Sequence, residues 1–352
     1  MPNAIILFLF FLGFLLLYTV FAVYAERKVA AFIQDRLGPM ETGYYGLLQT
    51  VADLLKMLQK EDIIWRDADS ILFKAAPFVI FSSVFAGFCF IPLAPQGIGS
   101  DSATGVFALL AIVSLDVIGI LMAGWGSANK FSLLGAMRSV AQIVSYEIPL
   151  SLSVLCVAVC AGTLNLQEMA WQQGIFVLQP NAWGGFMSWY IVRYPLLLPV
   201  FLIFFIASLA ECNRAPFDLP EAESELVAGY QTEYAGFRWG MLMLSEYGMM
   251  LLVSLLSAVM FFGAWNTPLP NLGAIRLADW TSGTLGHFSA WLWGAFWLLG
   301  KGLLLVGLQM WVRWTYPRLR IDQLMALCWK YLTPAALLLL LLCSLTKLLF
   351  YS

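Results

Sequence analysis

Apolar residues fall into long runs broken by short polar segments, and eight runs reach the roughly 20 residues a helix needs to cross a bilayer. They occupy about residues 3–25, 73–93, 105–125, 138–161, 194–211, 237–264, 288–312 and 324–350. Between the first two, Tyr44 to Lys60 is too short and too charged to cross. There Leu47, Leu48, Val51, Leu54, Leu55 and Leu58 follow helical spacing, interrupted by Asp53, Lys56 and Lys60. Such a helix, about residues 44–60, lies along the membrane interface. The expected fold is an all-α integral membrane protein: a single polytopic domain over 1–352, with eight transmembrane helices plus an interfacial amphipathic helix. An even number of spans puts both termini on one side.

The positive charges choose that side. The segments after spans 1, 3, 5 and 7 hold Arg27, Lys28, Arg36, Lys56, Lys60, Arg66, Lys74, Lys130, Arg138, Arg214, Arg238, Arg313, Arg318, Arg320 and Lys330. The opposite segments hold Arg193, Arg276 and Lys347, and Lys301 lies within span 7. Loops near span ends carry Lys and Arg in excess on the cytoplasmic side, so both termini are expected on the outer side. The first run lacks the basic start of a signal peptide and carries its charges after the apolar stretch, as a retained span does.

Composition agrees: 61% of the 352 residues are hydrophobic and 11% charged, against about 25% charged in soluble domains. The net charge of -2 suggests no nucleic-acid partner. Six cysteines and one histidine, His287, include no Cys-x-x-Cys pair or ligand-spaced cluster. No metal or other cofactor is therefore expected on this chain. Cys156 and Cys160, one turn apart in an apolar span, read as packing residues.

The acids concentrate. Of 21 Asp and Glu, the stretch from Ala210 to Tyr247 holds Glu211, Asp218, Glu221, Glu223, Glu225, Glu233 and Glu246, answered by Arg214 and Arg238. The acidic loop covers about residues 212–236. Asp218-Leu-Pro-Glu221 has the form of a helix start, which puts Glu221 and Glu225 on one face and Glu223 on another. A solvated acidic face is the plain account of such a loop. The neighbourhood argues for more: Glu147 lies in span 4, Glu211 ends span 5, Glu246 is inside span 6, and Asp116 and Lys301 sit in spans 3 and 7. Ionisable residues at membrane depth mark ion or substrate paths by default, and acids at successive depths suit stepwise proton transfer. Structural ion pairing is the competing reading. At the end of span 1, Glu26, Arg27, Lys28 and Arg36 gather charge before Gly38-Pro39 turns the chain into the interfacial helix. A slot there, with Arg27, Arg36 and Asp53 near its inner end, suits an amphiphile with a long apolar tail. The Arg-rich WVRWTYPRLRIDQLM reads mainly as interface anchoring.

Five long stretches, AERKVAAFIQDRLGP, GYYGLLQTVADLLKMLQKED, GWGSANKFSLLGAMRSVAQIVSYEI, AECNRAPFDLPEAESELVAGYQTEY and WVRWTYPRLRIDQLMALCWK, together resemble the quinone-site membrane subunit of respiratory complex I, the proton-pumping NADH:quinone oxidoreductase. The resemblance covers nearly the whole chain. It implies a bacterial inner-membrane subunit, not catalytic alone, whose quinone tunnel enters between span 1 and the interfacial helix. On the matching positions Arg27, Arg36, Asp53 and Phe217 would line or border the quinone site. Glu147, Glu211, Glu221, Glu223, Glu225 and Glu246 would belong to the acidic proton path, in which Lys301 is also placed. Quinone is then the substrate, and iron–sulfur clusters and FMN reside in partner subunits: peripheral-arm quinone-module, small and antiporter-like membrane-arm subunits. The sequence departs at Met40, Thr50 and Ala222, where the family carries Asn, Pro and Gly. PEAESELVAGYQTEYAG also resembles the ferredoxin-driven photosynthetic branch, so the donor does not follow from this chain. A membrane-bound hydrogenase subunit and a stand-alone ion-coupled transporter are the alternatives.

Overall fold

The computed structural model describes residues 2–95, 97–174, 185–219, 226–271, 277–282 and 288–350. Among these the chain is helical, with no strand beyond one isolated bridge, Ala94 to Gly97. The main helices are α1 (Pro2–Ile33), α2 (Gln49–Gln59), α3 (Ser70–Gly87), α4 (Gly105–Val113), α5 (Leu115–Gly126), α6 (Lys130–Ala161), α7 (Leu197–Glu211), α8 (Gly236–Phe261), α9 (Phe288–Thr315), α10 (Ile321–Ala326) and α11 (Thr333–Phe350). Seven helical segments among the described residues are long and apolar enough to cross a membrane, those of α1, α3, α4 with α5, α6, α8, α9 and α10 with α11. The protein is an all-α integral membrane protein.

Two of the expected spans take a different form. The third is two helices meeting at Ser114, whose hydroxyl donates to the Ala111 carbonyl. The fifth yields only the shorter apolar α7, preceded by a separate turn, Tyr190–Arg193. Its 15 residues reach about 22 Å, short of a hydrocarbon core of about 30 Å. By contrast α1, at 32 residues, is about 48 Å long. The excess carries Glu26, Arg27 and Lys28 towards one end of the bundle.

Helix α8 runs through the centre, and its side chains from Tyr247 to Phe261 are buried. Small residues let its neighbours approach, the usual device where lipid supplies no hydrophobic drive between helices. A Cβ on Gly119 would stand 2.4 Å from an Ile80 side-chain carbon, and one on Gly124 would stand 2.3 Å from Ala136. Pro149 lies inside α6, and its missing N–H frees the Ser145 carbonyl four residues back. The Cys328 thiol donates to that carbonyl at 3.0 Å. Cys328 belongs to a wide π-helical turn, Leu327–Leu332, joining α10 to α11.

Candidate functional site

Helix α2 lies beside the end of α1. The turn between them is closed by Gly46, where a Cβ would stand 2.4 Å from the Pro39 carbonyl oxygen and φ is +78°. Lys28 donates to that carbonyl at 2.8 Å, and Tyr24 donates to the Tyr45 carbonyl at 2.9 Å. Leu48, Val51, Leu54, Leu55 and Leu58 remain exposed along α2. Its polar edge faces the bundle, and Asp53 pairs with Arg27 at 2.6 Å.

A cavity of about 420 Å³ opens there, lined by Arg27, Asp53, Lys56, Met57, Lys60 and the segment Tyr234 to Gly236 with Trp239. The chain from Gly229 to Tyr234 is pressed onto the bundle. A Cβ on Gly135 of α6 would stand 2.6 Å from Gly229, and the Tyr234 ring stacks on Phe73 with centroids 4.2 Å apart. Asn129 donates to Glu233 at 2.7 Å, and Arg238 pairs with Asp62 at 2.7 Å.

A second cavity, of about 370 Å³, shares Arg27 and Trp239 with the first and is lined by more deeply buried residues. Its lining includes Arg36, Met243, Trp314 and the buried cluster Glu26, Arg214, Glu246, Tyr247 and Arg313. Arg214 is 3% exposed, follows α7 directly and reaches between two helices. Its Nη1 donates to both Glu26 oxygens, at 3.1 and 3.3 Å, and its Nε lies 2.9 Å from Glu246 Oε1. Tyr247 donates to Glu26 Oε2 at 2.5 Å, Arg313 also pairs with Glu26, and the Arg214 guanidinium lies over the Tyr247 ring at 4.5 Å. Burial opposes the Arg214 charge, yet Glu246, Glu26 and Tyr247 hold its pKa well above the ordinary arginine value. Its Nη2 finds no acceptor among the described residues.

Glu211, at the end of α7, is buried, and its Oε2 has no partner among the described residues. The acids that act on it are Glu147 and Asp116. Cys212, next to Glu211 in the chain, is buried as well. Thus the acids named from sequence separate into a cation-paired set around Glu26 and Glu246 and a second set around Glu211 and Glu147.

Three expectations, for Phe217, Lys301 and Arg313, are placed differently. Phe217 packs its ring against Tyr146, 5.3 Å between centroids, and is absent from the lining of either cavity. Lys301 stands apart from both acid sets; its Nζ donates to the carbonyls of Phe262, Ala264 and Asn266 at 2.7, 2.9 and 2.6 Å. Asp218 accepts from Arg318 at 2.9 Å, and the helix start it is expected to cap lies outside the described residues. Arg313, read as an interface anchor, joins the Glu26 cluster. Glu221, Glu223, Glu225 and His287 lie outside the described residues. The sequence pattern does not single out Arg214 and Tyr247, the central partners, as site residues. The available signal was that Arg214 is one of two cations set against seven acids in its stretch.

Against known families, residues 5–344 match the family described as NADH dehydrogenase. The chain belongs to the H-type membrane subunits of NADH-quinone oxidoreductase, complex I. The second H-type subunit of NADH-quinone oxidoreductase from Cytophaga hutchinsonii is 58% identical over 346 residues, covering 94% of this chain and 95% of that protein. The H-type subunit of Chlorobium luteolum is 54% identical, covering 92% of this chain and 84% of its own, and that of Bacteroides fragilis is 45% identical, covering 91% and 85%. Membership of this family selects among the readings left open by the residues, against a hydrogenase component or a stand-alone transporter.

Proposed function

We propose that this chain forms the membrane part of a quinone tunnel in complex I and couples quinone reduction to proton translocation. The observation that carries this reading is Arg214, a lining residue of the inner cavity whose buried Nη2 finds no acceptor among the described residues. A buried donor without an acceptor costs about 1–3 kcal/mol, more when charged. A quinone carbonyl is a neutral acceptor that relieves this cost without adding a charge. The exposed leucines of α2 beside the outer cavity suit the apolar tail of the same molecule, entering from lipid between α1 and α2. Arg27, Arg36 and Asp53 then border the route, and Phe217 supports the chamber from behind.

Two electrons delivered by partner subunits and two protons convert the quinone to quinol. Negative charge developing beside Arg214 competes for its guanidinium with Glu26 and Glu246. In a poorly polarisable interior that change is felt by neighbouring carboxylates. Glu246, Glu211 and Glu147, with Glu221, Glu223 and Glu225 of the acidic loop, form the path that carries the change along the membrane. Lys301 is separate from it. In this reading the chain spans a bacterial inner membrane eight times, with α7 as the fifth crossing and both termini outward. It binds no cofactor itself; FMN and iron–sulfur clusters reside in peripheral-arm partners. NADH is the donor the relatives' names state, and a co-purifying flavoprotein would identify it here.

The test substitutes Glu211→Gln and Glu225→Gln in the intact complex. Assembly is expected to persist while quinone-coupled turnover or proton yield falls. Full turnover with normal proton yield in both variants contradicts the path.

A further inference from the structure

We infer that Gln142, on α6, is a positioning residue for the Arg214 guanidinium and thereby for the quinone; this rests on the quinone-site reading above. Arg214 itself is held by acids on other helices, but its backbone must first leave α7 in the right direction. The turn that does so is irregular. Asn213 has φ +49°, in the left-handed region that costs most residues strain and that asparagine tolerates. On the α7 side the turn's backbone bonds are long, Asn213 N–H to Ala210 O at 3.3 Å and Arg214 N–H to Leu209 O at 3.2 Å, while beyond Arg214 the Phe217 N–H closes onto Arg214 O at 2.9 Å.

One amide group ties the two arms of the turn together. Gln142 is buried, and the two N–H groups of its Nε2 point to Ala210 O and Phe217 O, each at 2.8 Å, with Asn213 Oδ1 a longer shared acceptor at 3.2 Å. Those three acceptors lie before and after Arg214, so a single side chain gathers both arms of the turn. Ser139, one turn earlier on α6, adds a longer contact to Asn213 Oδ1 at 3.4 Å. Gln142 lines neither cavity. Its effect on a quinone must therefore pass through Arg214. Ala210 O also accepts from the Asn213 N–H, so what the amide adds is a tie between the end of α7 and Phe217 O beyond Arg214; without it the turn is free to relax, and a displacement on the order of 1 Å at a binding group costs up to about a hundredfold.

The experiment uses the assembled complex in native membranes, with Gln142→Leu, Gln142→Glu, Asn213→Gly and Arg214→Lys, and reads quinone KM, kcat per assembled complex and the affinity of a quinone-site inhibitor. Gln142→Leu, which has no donor, is expected to raise quinone KM about tenfold and weaken the inhibitor in parallel. Gln142→Glu, which in its neutral form keeps one donor, should recover part of the loss, most at low pH. Asn213→Gly keeps the backbone freedom and removes one acceptor, and it should raise KM about two- to threefold. A residue that only stabilised the fold would lower the amount of complex and leave KM and inhibitor affinity untouched; that result in Gln142→Leu overturns the inference. If Gln142→Leu does not assemble, an unchanged KM in assembled Asn213→Gly overturns it instead. Arg214→Lys separates the two levels. Should it leave quinone KM unchanged, the quinone-site reading fails; should it raise KM while Gln142→Leu and Asn213→Gly do not, only the role of Gln142 fails.

Discussion

At one end of the bundle Glu26, Arg214, Glu246, Tyr247 and Arg313 answer one another with side chains, whereas at the other Lys301 and Lys347 answer backbone carbonyls. Both arrangements compensate buried or half-buried charge. They differ in what the partner can do. Carboxylates have protonation states of their own and can release a cation to a ligand. A carbonyl has neither property. Lys301 meets Phe262, Ala264 and Asn266 where α8 ends, and Lys347 donates to Val159 O at 2.7 Å where α6 ends. A cation at a helix C-terminus satisfies open carbonyls and the negative end of the dipole. The lysine end is a fastening; the arginine end is able to respond.

The largest effect expected follows from Arg214→Met. Removing the cation strands Glu26 and Glu246, and breaking a buried ion pair costs about 3–5 kcal/mol. The amount of this chain in membranes should collapse, as read by immunoblot and native gels. Arg214→Lys keeps charge but loses the planar fork, so it should assemble with impaired quinone kinetics. Normal levels of the Met variant would show that the cluster is not held as described.

Next in size is Lys301→Met, which leaves three carbonyls without their donor and should destabilise by about 1–3 kcal/mol. Thermal inactivation of the complex measures this. Quinone KM and the proton yield per electron pair should stay at the wild-type value in the complex that survives. A reduced proton yield would return Lys301 to the proton path and erase the contrast between the two ends. The smallest effect belongs to Lys347→Met, about 0.3–1 kcal/mol from one terminal carbonyl, with no kinetic change. A kinetic effect there would be the greater surprise.

Much of the architecture was legible because crossing a membrane requires long apolar runs, and α2 was legible because its leucines keep helical spacing. The break at Ser114 was not, since neither Gly nor Pro marks it and the apolar run continues through. At the site, Arg27 and Asp53 were legible as charges bracketing a turn, and they do pair. Glu26 as the centre of a cluster was not, because its partners lie 188, 221 and 287 residues away along the chain. Nor could the sequence reveal where Lys301 binds, because backbone carbonyls leave no residue-type signature. Gln142 was hidden for the same reason: two of its three acceptors are main-chain oxygens.

The most direct test of the contrast is the affinity of a quinone-site inhibitor, or the quinone KM, in assembled complex carrying Arg214→Lys beside complex carrying Lys301→Met. About tenfold weaker binding is predicted in the first, equivalent to about 1.4 kcal/mol, and wild-type binding in the second. Equal affinities in the two variants would contradict the division of the molecule into a responsive end and a fastened one.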